Sequence, residues 1–86
     1  MSEVKVGKVT HYFDRLGVAV FEITEGALKV GDTVHVVGNA TDFTQPVESM
    51  QVEHQPVPSA SAGQSVGVKV KSPTRAHDQV FKVVAD

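Results

Sequence analysis

The 86-residue sequence has no cysteine, no tryptophan and a single tyrosine. Without Cys there is neither a disulfide framework nor a thiolate metal site, and a reducing compartment, the cytoplasm, is the expectation. Long apolar runs are also missing: the longest, residues 18–21, falls far short of the roughly 20 residues that a membrane-spanning helix needs. The N-terminus carries no basic segment leading into an apolar run, so no export signal and no membrane association are expected. Positive charge is in deficit, with eight Lys and Arg against ten Asp and Glu and a formal net charge of −2. That rules out the broad basic footprint with which duplex-binding proteins release counterions from nucleic acid.

Short runs of β-branched and apolar residues are what the chain does have, and turn residues punctuate them every 8 to 12 residues or so, as in sandwiches and barrels. A length of 86 residues suits one domain, residues 1–86, and is too short for two. Residues 4–13 read as a first strand whose alternation changes phase near Gly7-Lys8, where a bulge would absorb the slip. Asp14-Arg15 follows as a turn. Residues 17–24 are apolar on both parities, as in a strand covered on both faces, and a partner would supply the second cover. Gly31-Asp32 is a turn into a strand at 33–37, and Gly38-Asn39 closes it. Residues 39–46 read as a polar loop holding Phe43, and residues 47–54 as a strand. Residues 55–63, with two Pro, read as a connector. In 65–71, Val66, Val68 and Val70 share one face and Gly67, Lys69 and Lys71 the other. A loop at 72–78 leads to a sixth strand at 79–84. The expected fold is all-β, a six-stranded antiparallel Greek-key barrel, because closure removes edge strands that would otherwise aggregate, with an open sandwich as the alternative.

Catalytic chemistry has no visible seat. The four His (His11, His35, His54, His77) fall in different predicted strands and loops and form no metal-ligand spacing. No G-x-S-x-G elbow presents a nucleophile, and no G-x-x-x-x-G-K-[ST] loop cradles phosphate. The expectation is a protein that is not an enzyme, with no metal, no cofactor and no GTP binding. Charge is uneven, however. Residues 1–63 hold four basic residues against eight acidic ones, while 64–86 hold Lys69, Lys71, Arg75 and Lys82 against two. Single-stranded RNA is recognised by exposed aromatics with cations beside them, and Lys69, Lys71, Arg75 and Phe43 are the candidate nucleic-acid-binding residues on that ground. Core packing of the aromatic and simple solvation of the lysines are the competing explanation.

Residues 26–34, Gly-Ala-Leu-Lys-Val-Gly-Asp-Thr-Val, and residues 62–68, Ala-Gly-Gln-Ser-Val-Gly-Val, together resemble the second, β-barrel domain of translational GTPases of the elongation factor Tu type. That family shows G-x-L-x-x-G-D-x-V followed by A-G-x-x-V-G-(V/I), and the likeness runs over residues 4–84. It implies a non-catalytic binding module that contacts tRNA, ribosomal RNA or another translation-related partner. The GTPase domain that precedes this barrel in the family has no counterpart before Met1, so a free-standing protein, acting beside a separately encoded GTPase or alone, is the expectation. The alternative is a protein-interaction or accessory module, unrelated to translation, that shares the barrel and docks through an apolar strand face such as Ala19, Phe21 and Ile23.

Overall fold

In the computed structural model, which describes residues 2–85, the chain is all-β. The described residues form ten strands and no helix: β1 (Ser2–Phe13), β2 (Val18–Ile23), β3 (Ala27–Lys29), β4 (Thr33–Gly38), β5 (Thr41–Pro46), β6 (Met50–Val52), β7 (Gln55–Pro56), β8 (Ser59–Ser61), β9 (Ser65–Lys69) and β10 (Gln79–Val84). No helix is therefore long and apolar enough to cross a membrane.

Eight strands make one sheet in the order β5-β4-β10-β1-β2-β9-β6-β7, and β3 with β8 makes a separate ribbon. Every pairing is antiparallel. β10 is the crossover strand, returning from the C-terminus to lie between β1 and β4. The phase change in β1 is real: its register slips between Lys5 and Gly7 against β10, and again between Val9 and His11 against β2. Two bulges bend and twist this one long strand so that it pairs with β10 on one edge and β2 on the other. At the first, Gly7 lies so close to the Glu22 carbonyl that a Cβ would strike it.

Alternation decides the core. Ala19, Phe21 and Ile23 point inward from β2, Val34 and Val36 from β4, Val66 and Val68 from β9, and all are buried with Leu28, Val47 and Met50. Ala19, Phe21 and Ile23 thus cannot be the docking face expected of them; they are the centre of the core, and the other parity of β2 faces outward. Residues 39–46 are likewise no loop. After a turn at Asn39-Ala40 the chain returns as β5, paired with β4 from Gly38↔Thr41 to Thr33↔Pro46, and Phe43 lies half-buried against the core. Asp42 and Thr44 occupy the solvent parity of an edge strand, while Thr41 and Gln45 are buried on the other beside Phe43, and so polar a strand reads as loop from composition alone. The strand expected at 47–54 is cut to Met50–Val52, since Glu53 and His54 adopt left-handed φ of 52° and 65° and turn the chain into β7. Two consecutive residues of that kind are what a tight hairpin twist requires.

Backbone pairing does not close into the expected six-stranded barrel; it ends at β5 on one side and β7 on the other. One side chain spans the open seam. The buried Gln45 amide on β5 donates from Nε2 to the Lys69 carbonyl (2.8 Å), while its Oε1 accepts from the Lys71 N–H (2.7 Å). It therefore substitutes for one rung of backbone pairing between β5 and the end of β9.

Candidate functional site: an apolar groove along β2 and β9

The outward parity of β2 carries Val18 and Val20, both only partly covered. The β1–β2 turn adds two apolar residues with no core to enter: Leu16, 67% exposed, and Phe13, 48% exposed. The turn is held by the Leu16 and Gly17 amides donating to the Phe13 carbonyl at 3.1 and 2.9 Å, with Gly17 at positive φ. Leu16 is thereby fixed at the tip rather than left on a free loop. The His11 ring stacks on Phe13, with centroids 6.2 Å apart and planes 10° from parallel. Phe13, Leu16, Val18 and Val20 form one wall of a hollow of about 360 Å³, with Gly67 on its floor and Gln51, Glu53 and His54 opposite. Gly67 keeps that floor low: a Cβ there would reach to 3.3 Å from Val18 Cγ1.

The hollow continues along β9. A second one of about 280 Å³ shares Leu16, Val18, Gln51 and Gly67 with the first and reaches Ser49 and Lys69. A third of about 260 Å³ takes over at Lys69 and runs past Lys71 to Gln45, Pro46 and Glu48. Ser65, Gly67, Lys69 and Lys71, the outward parity of this segment, thus line one continuous trough.

The four residues predicted as a nucleic-acid site are split by the fold. Lys69 and Lys71 lie together at the far end of this trough. Phe43 and Arg75 face a different hollow, of about 320 Å³, between β5 and the loop at 72–78. Phe43 is half-buried and packs in part against the core. The sequence reading expected a partner on one face of the 17–24 strand but chose the Ala19, Phe21 and Ile23 face, and so did not group Phe13, Leu16, Val18, Val20 and Gly67. The signal was present: β2 is apolar on both parities, and Leu16 is an apolar residue inside a turn. Only pairing with β9 and β1 decides which parity is outside.

His35, on the outer face of β4, is set between two carboxylates. Its Nδ1 faces both oxygens of Glu3 at 2.9 Å, and its Nε2 faces Asp42 Oδ1 at 2.6 Å. The bond to Asp42 first, and that to Glu3 second, raise its pKa above 6.5, against a smaller opposing effect of burial. An imidazolium that donates at both nitrogens ties β1, β4 and β5 together across β10. Among the described residues, no group of three or more His, Asp or Glu side chains is placed to hold a metal ion.

Comparison with known proteins places this geometry. Residues 17–76 match the family described as elongation factor Tu domain 2. Over 81 residues the chain is 40% identical to a collagenase of Porphyromonas gingivalis, covering 93% of this chain and 20% of that protein. An uncharacterized protease of Methanocaldococcus jannaschii is 34% identical over 80 residues, covering 92% and 19%. The chain thus spans about a fifth of the length of the curated relatives it matches. Among solved structures, the C-terminal domain of a Geobacillus thermoleovorans protein classed with the U32 peptidases superposes with a TM-score of 0.86 at 26% identity, covering 94% of this chain and 93% of that one.

These relatives overturn the expectation of a translation module acting on tRNA or the ribosome. The physical reason lies in the motifs that carried it. Residues 26–34 and 62–68 set turns and strand entries: Gly26, Gly31 and Gly63 take positive φ, and Asp32 Oδ2 accepts from the Lys29 N–H at 2.9 Å. Such residues specify backbone geometry, which related barrels share, and leave the outer surface unspecified.

Proposed function

This chain belongs to the elongation factor Tu domain 2 family, and on that premise we propose that it is a non-catalytic accessory module of a protease-type protein, taking hold of polypeptide through the groove over β2 and β9. The observation that carries the reading is the match in extent: nearly the whole chain corresponds to nearly the whole of a domain that is C-terminal in the U32-peptidase protein. The groove supplies the means. Leu16 and Phe13 hold apolar surface in water at the lip of a trough whose floor Gly67 leaves open, and covering such surface is worth roughly 1.5–3 kcal/mol per large side chain. Polypeptide, with apolar side chains at regular spacing, is the natural cover.

Fluorescence anisotropy with labelled gelatin and unfolded casein tests the reading, alongside an assay for released peptides. The chain alone is expected to bind both and cleave neither. Leu16→Asp, at an exposed turn, should weaken binding at least about tenfold, the equivalent of losing one buried apolar anchor. Hydrolysis by the chain alone, or unchanged binding by both Leu16→Asp and Gly67→Val, would refute it.

A further inference from the structure

Resting on the reading of the groove as a polypeptide site, we infer that its occupant is an extended segment of about six residues, apolar in the middle, with a basic side chain at one end and an acidic group at the other. The length follows from the floor. The trough follows β9 and its continuation from Ser65 to Lys71, and six steps at roughly 3.3 Å each span about 20 Å, the reach of six extended residues.

The polarity follows from charge. At the Ser65 end the rim carries Glu53, an acid on a tight turn, beside His54. The centre is lined by Val20, Gly67 and Gln51, none of them charged, and Val18 and Leu16 carry the apolar wall on to the level of Lys69. At the other end stand Lys69 and Lys71, with Glu48 the one acid on the same rim. Neither ammonium is committed to an ion pair among the described residues, whereas Lys8 is paired with Glu22 and Lys82 lies near Asp32. Both Lys69 and Lys71 are held in place by backbone: Lys69 is paired with Val18 through β2, and the Lys69 carbonyl and Lys71 N–H are bonded by Gln45. The trough is therefore acidic at one end, apolar between and basic at the other. Rim charges of this kind choose a partner and its register more than they add affinity.

The probes are three labelled hexapeptides with the same four apolar central residues. One ends in Arg and Asp, one in two Asp, one in two neutral Gln. The Arg/Asp peptide should bind about tenfold more tightly than the two-Asp peptide at 50 mM salt, and the gap should close at 500 mM. Glu53→Lys should move the preference to the two-Asp peptide, whereas Lys69→Glu with Lys71→Glu should weaken both charged peptides against the Gln peptide, which stays bound as before, and leave the gap between them in place. Equal binding of all three peptides, each lost in Gly67→Val, would overturn the charge polarity and leave the groove standing. If no peptide binds the wild-type chain, both readings fail. A single-stranded oligonucleotide that binds more tightly than any peptide and is released by Lys69→Glu with Lys71→Glu would also overturn the proposal.

Discussion

Replacing Gln45 by Ala should open the seam between β5 and β9. The two short bonds across the seam, to the Lys69 carbonyl and from the Lys71 N–H, would be lost along with a longer one to the Pro46 carbonyl (3.3 Å), at a residue only 8% exposed. Each bond is worth about 1 kcal/mol net, and a backbone partner left buried without one costs about 1–3 kcal/mol, so water entering the open seam decides where in a range of about 2–4 kcal/mol the loss falls. With an m-value of about 1 kcal/mol/M for a domain of this size, the urea midpoint should fall by roughly 2 M or more. Gln45→Met separates packing from bonding, because it fills the same space but offers neither group; it should recover less than half of the loss. Hydrogen exchange reads the cause directly, since the Lys71 amide should exchange far faster in both variants. A midpoint within 0.5 M of wild type, or a Lys71 amide that exchanges at its original rate, would show that the seam does not depend on this amide. The consequence reaches the groove, because the same two bonds hold the segment that presents Lys69 and Lys71.

Two further outcomes follow from the geometry. His35 has a folded pKa above its ordinary 6.5, so the stabilisation from its two carboxylate partners is fully present below about pH 6.5 and is lost as pH rises through the raised value. Urea midpoints between pH 5.5 and 9 should therefore fall on the alkaline side in the wild type and stay flatter in His35→Gln. His54→Gly should stabilise the fold by about 1 kcal/mol, because His54 stands at a φ of 65° that costs a side-chain-bearing residue roughly that amount, and a thermal melt should rise by a few degrees.

The position of the strained turn connects fold to function. Asn-Gly is the sequence a two-residue turn of this twist favours, yet this chain holds Glu53 and His54 there, both on the groove's rim. On the proposed reading, the turn trades stability for a carboxylate at the mouth of the apolar trough.

Much of the architecture could be read without coordinates. Valine alternation in residues 65–71, the bulge near Gly7, the Gly31-Asp32 turn and the last strand, Gln79–Val84, all follow from local chemistry, because strand periodicity and turn residues act within a few positions. The family was legible for the same reason, since its motifs are turns. The function was not. β2 offers apolar side chains on both faces, and only its pairing with β1 and β9 buries Ala19, Phe21 and Ile23 and leaves Val18 and Val20 outside. β5 looks like a loop until β4 supplies its hydrogen bonds. The trough exists only because Leu16, Gln51 and Gly67, from three stretches of chain, meet along one strand. Local sequence determined where the chain extends and turns; long-range pairing decided which side of each strand meets water, and a binding surface is made of that side.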